Sequence, residues 1–176
     1  MNKTVRTQIY ITVAMGLLIA IEIVFTRFFA IRTPIVTIGL GFIPVSLAAM
    51  LYGPVRGGLV AALGDFIGAI LFPIGPYFPG FTLTAFLTGV VYGLFLHNKT
   101  CKLWNIAGAV LLINVVLNLT MDTYWLYLIT GKGMLALLPP RLLKCALMAP
   151  VQVAGVQLIS RTIGNRLIVR YQSQSA

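Results

Sequence analysis

Hydrophobic residues form six runs along this 176-residue chain, and short polar breaks separate them. The runs cover about residues 7–29, 37–52, 59–72, 81–97 and 103–130, and a last run that starts after Pro139-Pro140 and extends to about Ile163. Because their polarity does not alternate, and because roughly 20 apolar residues cross a bilayer as a helix, the runs indicate helices rather than barrel strands. The second and third runs are short for full spans. The pattern predicts an all-α integral membrane protein with six transmembrane helices in a single domain, residues 1–176.

The composition supports a multi-pass protein of the cell membrane. Hydrophobic residues make up 59% of the chain, charged residues 9%, and the mean hydropathy is +0.97. A soluble domain is about 45–50% apolar and about 25% charged. The formal net charge of +10 comes from bases in the polar breaks. They form no stripe for a nucleic acid, so nucleic-acid partners are excluded. We expect Cys101 and Cys145 to be free thiols, and a single histidine cannot build a metal site.

The basic residues predict that both termini face the cytoplasm. With that orientation, eight basic residues fall on the cytoplasmic side and five on the outer side. The cytoplasmic set is Lys3, Arg6, Arg56, Lys99, Lys102, Arg161, Arg166 and Arg170, and the outer set is Arg27, Arg32, Lys132, Arg141 and Lys144. Positive charge on the outer side opposes the usual bias, so the outer set requires a physical reason.

Three of the outer basic residues are candidates for ligand binding. Arg27 ends the first helix, and the spacing of three places Arg141 and Lys144 on one face of the last. Basic residues in membrane segments usually face a cavity or a partner. The alternative is that these side chains extend to the lipid headgroups. For Arg32 and Lys132, headgroup contact and ligand binding are equally good explanations. A structural pair of Glu22 with Lys144 also stays open.

Asn114, Asn118 and Asp122 recur every four residues and form one stripe on the fifth helix, just before Tyr124 and Trp125. Buried amides and carboxylates are costly when unsatisfied, so the stripe faces the protein interior. Interhelical hydrogen bonds and hydrogen bonds to a polar heterocycle are equally good explanations at this point.

Two further features concern flat ligands and helix packing. The break at 73–80 is rich in aromatic residues. Tyr77, Phe78 and Phe81 can either stack on a flat ligand or form an aromatic belt at the membrane interface. This segment by itself favours the belt. Gly16 and Ala20 form a small-xxx-small pair that lets another helix approach closely.

The chain lacks the motifs of ATP binding and of catalysis. It contains no P-loop, no nucleophile elbow, no HExxH and no suitably spaced pair of carboxylates. The sequence therefore predicts no enzyme, no cofactor and no metal.

Several motifs, in order along nearly the whole chain, resemble the folate-specific substrate-binding (S) components of energy-coupling factor (ECF) vitamin transporters. They lie at residues 16–28 with Arg32-Thr33-Pro34, and at 41–44, 50–54, 57–65, 77–82 and 140–145. The resemblance implies a six-helix protein that binds folate from outside and joins a transmembrane coupling protein and two cytoplasmic ATPases. In the family an Ala-xxx-Ala patch docks on the coupling protein. That patch reads Gly16-xxx-Ala20 here, and the arginine expected to contact the ligand is Arg27.

Residue chemistry and the resemblance together give one candidate set for folate binding. Donors and acceptors would bind the pteridine, aromatic rings would stack on it, and cations would bind the two tail carboxylates. The set is Arg27, Phe28, Asp65, Tyr77, Phe78, Phe81, Asn114, Asn118, Asp122, Trp125, Arg141 and Lys144. The alternatives are an S component for another anionic vitamin, a stand-alone channel or secondary transporter, and a membrane-embedded enzyme.

Overall fold

Seven helical segments make up most of the computed structural model, which describes residues 3–32, 37–73, 77–99, 102–131 and 133–164. The helices are α1 (Lys3–Arg27), α2 (Phe42–Tyr52), α3 (Pro54–Leu71), α4 (Pro79–Leu96), α5 (Leu103–Leu112), α6 (Asp122–Thr130) and α7 (Met134–Ile159). A π-helical segment, Ile113–Met121, joins α5 to α6, and a π-helical turn, Ser160–Gly164, follows α7. Strands β1 (Ile31–Arg32) and β2 (Thr37–Ile38) form a minimal antiparallel pair with Ile31 opposite Ile38. Thr33, Pro34, Cys101, Lys132, Arg166 and Arg170 lie outside the described residues.

The six-helix membrane architecture is confirmed. Five helices are long and apolar enough to cross a bilayer: Val5–Arg27, Pro54–Leu71, Pro79–Leu96, Leu103–Thr130 and Ala136–Thr162. The sixth, α2, has only 11 residues, and at 1.5 Å per residue it extends about 16 Å, roughly half the thickness of a hydrocarbon core. The short second run in the sequence is therefore a short helix, whereas the third run is not short in the structure. The orientation of the termini stays a prediction.

Two predicted helix boundaries are wrong, and proline chemistry explains both. The expected break between the second and third runs, residues 53–58, is helical from Pro54, because proline fits the first position of a helix. Gly53, with φ +89°, separates α2 from α3. The last helix begins at Met134, so Pro139 and Pro140 lie inside it instead of before it. Membrane helices tolerate proline where neighbouring groups satisfy the freed backbone atoms.

Glycines bring α3 and α4 into close contact. A Cβ atom on Gly89 would collide with the main chain of Gly57, and one on Gly93 would collide with Pro54. The short helix α2 lies beside this pair, and its Ala48 and Ala49 are fully buried. The packed core extends from α2 to α4, α5 and α7, and its largest fully buried side chains include Met50, Tyr92, Leu96 and Ile106.

We expect Gly89→Ala to destabilise the protein, since its methyl group would force apart the backbones of α3 and α4. The expected loss is about 1–3 kcal/mol, the usual cost of overpacking, and it would appear as a lower thermal midpoint in detergent. The matched control is Gly16→Ala in α1, where an added Cβ meets nothing within 4 Å. An unchanged midpoint for Gly89→Ala would contradict the close packing.

Candidate functional site

A cavity of about 270 Å³ lies between the helices, and every membrane helix contributes to its wall. This volume is slightly below the range for small-ligand pockets, about 300–1,000 Å³. The wall combines small, aromatic and polar side chains: Glu22 and Thr26 on α1 and Ala30 just after it; Gly39, Gly41, Phe42 and Val45 around the start of α2; Ala61 and Asp65 on α3; Phe81, Thr84, Ala85, Thr88 and Tyr92 on α4; Ile113, Asn118 and Asp122; and Lys144, Met148 and Gln152 on α7.

The three acidic residues of the whole chain, Glu22, Asp65 and Asp122, all line this one cavity. Lys144 lines it too, and lies close enough to Asp122 for electrostatic interaction, as does Arg141. Carboxylates are expensive in a membrane interior and are found there mainly where they have a function. Their convergence from α1, α3 and the start of α6 marks the cavity as a polar site.

Asp65 connects α1, α3 and α4 at one end of the cavity. The Arg27 Nη2 atom lies 3.7 Å from its Oδ1 atom and donates to the Asp65 main-chain oxygen at 3.1 Å. The Thr82 hydroxyl donates to Asp65 Oδ2 at 2.8 Å, and the Tyr77 hydroxyl lies 3.1 Å from that of Thr82. Arg27 therefore lies directly behind a wall residue, and Asp65 links it to the aromatic break at 73–80.

The π-helical segment and the first residue of α6 carry the polar stripe predicted from the sequence. Asn114 is buried behind the wall and donates through Nδ2 to Val110 O at 2.9 Å and to Gln152 Oε1 at 2.7 Å. Asn118 and Asp122 reach the cavity. Arg141 Nη1 donates to the main-chain oxygen of Asn118 at 3.0 Å. Such π-helical segments occur frequently at functional sites, and here one places two amides against α7, with the Asp122 carboxylate directly after it at the start of α6.

On α7, Lys144, Met148 and Gln152 line the cavity at intervals of four residues, which is one face of a helix. Arg141, one turn earlier, is almost fully buried but does not reach the cavity surface. Cys145 is a free thiol whose Sγ lies 3.5 Å from Asn114 O. The prediction of a free thiol is confirmed for Cys145.

Two predicted aromatic residues form a second layer behind the wall. The Trp125 indole N–H donates to Thr84 Oγ1 at 3.2 Å, and the Phe78 ring lies 5.4 Å from the Trp125 ring. Thr84 itself lines the cavity. The side chain of Phe28 is 64% exposed and packs against Phe72, because one residue along a helix turns the side chain by about 100° away from the direction of Arg27.

The structure thus divides the predicted set into residues that reach the cavity surface and residues that do not. Five members form the cavity surface: Asp65, Phe81, Asn118, Asp122 and Lys144. Seven do not reach it: Arg27, Phe28, Tyr77, Phe78, Asn114, Trp125 and Arg141. Their roles in ligand binding stay predictions.

Sequence reasoning missed several polar residues of the wall as members of the site: Glu22, Thr26, Thr84, Thr88, Tyr92 and Gln152. One available signal was spacing, since residues 81, 84, 85, 88 and 92 share a helical face. Another was the rarity of acids, which applies to Glu22. Gln152 gave no signal, because a lone amide in an apolar run fits interhelical hydrogen bonding equally well.

Three polar atoms of wall residues are buried without a hydrogen-bond partner among the described residues: Glu22 Oε2, Asp122 Oδ1 and Tyr92 Oη. Buried polar atoms in native proteins are nearly always hydrogen-bonded. Two carboxylate oxygens and a phenol in one wall therefore suit a ligand that brings N–H donors. Within the described ranges, no group of three His, Cys, Asp or Glu side chains has the arrangement of a metal site.

Gly16 and Ala20 are exposed on α1, away from the cavity. Val13, Leu17 and Val24 on the same helix are exposed too, so this part of α1 has a smooth apolar surface within the described structure. Such a surface suits lipid or the close approach of another membrane helix.

Comparisons with known proteins agree on one family. The family described as "ECF-type riboflavin transporter, S component" matches residues 6–169. A protein of Clostridium novyi (strain NT) named "Folate transporter FolT" is 48% identical over 149 residues, which are 85% of this chain and 84% of the relative. A protein of the same name from Leuconostoc mesenteroides subsp. mesenteroides is 32% identical over 166 residues, 87% of this chain and 89% of the relative.

A solved structure described as "Crystal structure of FolT bound with folic acid" has the same fold. Its TM-score to this chain is 0.81 at 40% identity, and the match covers 85% of this chain and 91% of that one.

Thr82→Val tests the polar connection through Asp65. We expect the thermal midpoint in detergent to fall by a few degrees, because Asp65 Oδ2 loses its donor at the edge of the membrane interior, a loss of about 1–3 kcal/mol. Thr12→Val is the matched control, since its exposed hydroxyl bonds only the carbonyl of Gln8 within its own helix. Equal midpoints for the two variants would show that the connection contributes nothing to stability.

Proposed function

Because this chain belongs to the S components of ECF-type transporters, we propose that it binds folate at the cavity from the outer side of the cell membrane and delivers it by joining a transmembrane coupling protein and two cytoplasmic ATPases. It is a multi-pass membrane protein and a transporter component rather than an enzyme. The single observation that carries the folate proposal is the cavity wall. Two of its carboxylate oxygens have no donor among the described residues, and a lysine and aromatic rings line the same cavity.

Each part of folate has a chemical counterpart in or next to the cavity. The pteridine needs hydrogen-bond partners at its edge, and Asn118, Asp122 and Glu22 can provide them. The flat rings need apolar surface, which Phe81 and Tyr92 provide. Donors on a ring edge would satisfy the buried carboxylate oxygens, which supports a nitrogen heterocycle over a purely apolar ligand.

The glutamate tail of folate needs cations, and three lie in or next to the cavity wall. Lys144 is on the wall, whereas Arg27 and Arg141 are directly behind it. Both guanidinium groups keep a buried Nε atom without a partner in the described structure, so each has donors to spare. Arg27 is 3.7 Å from Asp65, and we propose that it exchanges this carboxylate for one from the ligand. Charge-assisted pairs of this kind are strong in a partly dry site.

The two named relatives and the folic acid complex favour folate over other ligands. The family description favours a second candidate, riboflavin, which is also a flat heterocycle. The two differ at the tail, because folate carries two carboxylates and riboflavin carries none. The basic residues Arg27, Arg141 and Lys144 therefore support the anionic vitamin.

The exposed surface around Gly16 and Ala20 is the proposed contact with the coupling protein. The orientation with both termini in the cytoplasm is part of the same proposal. It places Arg27, at the end of α1, on the side from which folate arrives.

A titration of the purified protein tests ligand identity and the role of Arg27 together. We expect folic acid to quench tryptophan fluorescence saturably at low concentrations. Riboflavin should bind much more weakly. Arg27→Ala should weaken folic acid binding by about tenfold or more, because a tail carboxylate loses its partner. The matched control, Arg6→Ala, changes an arginine at the opposite end of the same helix. Tighter binding of riboflavin would overturn the folate proposal, and unchanged affinity of Arg27→Ala would overturn the role of Arg27 alone.

Uptake by reconstituted complexes tests the docking surface. Gly16→Leu or Ala20→Leu should leave folic acid binding intact and abolish ATP-dependent uptake with the coupling protein and ATPases, because a bulky side chain keeps the helices apart. Ala154→Leu, at an exposed position on α7, is the matched control. Normal uptake by both α1 variants would rule out this surface.

A further inference from the structure

The orientation of the Gln152 side-chain amide is fixed by its neighbours. The same Asn114 side-chain atom lies 2.9 Å from Val110 O and 2.7 Å from the amide of Gln152. A main-chain carbonyl only accepts hydrogen bonds, so that atom of Asn114 must be its NH₂ nitrogen. The atom of Gln152 that faces it must then accept, which makes it Oε1. The other end of the Gln152 amide, Nε2, therefore points away from Asn114 with two N–H donors.

Asn118 presents a hydrogen-bond acceptor to the cavity, whereas Gln152 presents donors. The Asn118 Nδ2 atom lies 3.5 Å from Asn114 Oδ1, on the far side of the same amide. This contact leaves the Asn118 oxygen as the group available for a ligand. Asp122, four residues further on, adds an acceptor, since its Oδ1 atom is buried without a partner among the described residues. Asn114 thus orients the amide of Gln152 and contacts the amide of Asn118, although it does not line the cavity.

Gln152, Asn118 and Asp122 all belong to the cavity wall. Gln152 is only 7% exposed, so its donors are costly to leave unsatisfied in the membrane interior. This part of the wall offers one donor group and two acceptor groups. A ligand edge that complements it carries one acceptor and neighbouring N–H donors.

We propose that Gln152 is a specificity-determining residue that donates a hydrogen bond to the ring carbonyl of a 2-amino-4-oxopteridine, while Asn118 and Asp122 accept from the adjacent ring N–H and amino groups. The proposal rests on the proposed function and deepens it, because it names the edge of the ligand that the site recognises. Replacing the ring carbonyl by an amino group places a donor against the Gln152 donors. A site that is built around one hydrogen-bonding pattern rejects its mismatch strongly.

Equilibrium binding of two ligands to the purified full-length chain tests this proposal. The ligands are folic acid and its 4-amino analogue, in which an amino group replaces the ring carbonyl and the adjacent ring nitrogen, N3, carries no hydrogen. We expect the unsubstituted protein to prefer folic acid by about tenfold or more, since the mismatch leaves a buried donor unpaired. Gln152→Met keeps the length of the side chain but removes its donors, and it should reduce this preference by about threefold or more, with the mismatch at N3 remaining.

Two further variants make the test specific. Gln152→Glu retains an acceptor for Asn114 and presents an oxygen to the ligand, so it should shift the ratio of affinities towards the 4-amino analogue even if Gln152→Met folds poorly. Gln157→Met, on the same helix but not in the cavity wall, is the matched control and should keep the original ratio.

The ratio of affinities separates specificity from mere structural support. If Gln152→Met weakened both ligands equally, or left the original ratio unchanged, the proposal would be overturned. Equal affinities for the unsubstituted protein would overturn it as well, while leaving the proposed function intact. A protein that bound neither folic acid nor its analogue would overturn the proposed function and this inference together.

Discussion

The membrane interior offers no water to the polar groups that helices carry into it, and the arrangement of this protein follows from that constraint. Each polar side chain at depth must meet another polar group of the chain or a ligand. The acids Glu22, Asp65 and Asp122 come from three distant parts of the sequence, yet all three reach one cavity. Satisfying them separately against lipid would cost far more than gathering them in one place.

Two layers of polar residues perform different tasks around that cavity. The inner layer presents hydrogen-bonding groups and a lysine to the interior space. In the outer layer, Arg27 and Arg141 donate hydrogen bonds to main-chain oxygens of inner residues. Asn114 donates to the side-chain amide of Gln152. A ligand that entered would exchange hydrogen bonds with groups whose positions are already set, which lowers the entropy lost on binding. Close glycine contacts between α3 and α4 give the rigid wall that such positioning needs.

Much of the fold could be predicted because hydrophobic length is a local property of the sequence. The runs that became α1, α4 and the continuous span Leu103–Thr130 are long, so their helices were predictable to within a few residues. The helix boundaries next to proline residues could not be predicted in this way. Pro54, Pro139 and Pro140 read as breaks in the sequence, but Pro54 starts a helix and the other two lie inside one. Whether a proline breaks a helix depends on the groups around it in space.

The sequence by itself determined the class of the protein, the number of its helices and the scarcity of acids, because composition and hydropathy need no knowledge of contacts. The stripe of Asn114, Asn118 and Asp122 followed from helical spacing in the same way. Only the tertiary structure decided which polar residues line the cavity and which lie behind the lining. Asp65 lines the cavity, whereas Arg27 lies behind it. The tertiary structure alone showed that Asn114 orients Gln152, a residue 38 positions away. Hydrogen bonds between helices depend on rotation and register, and no single segment of the chain contains that information.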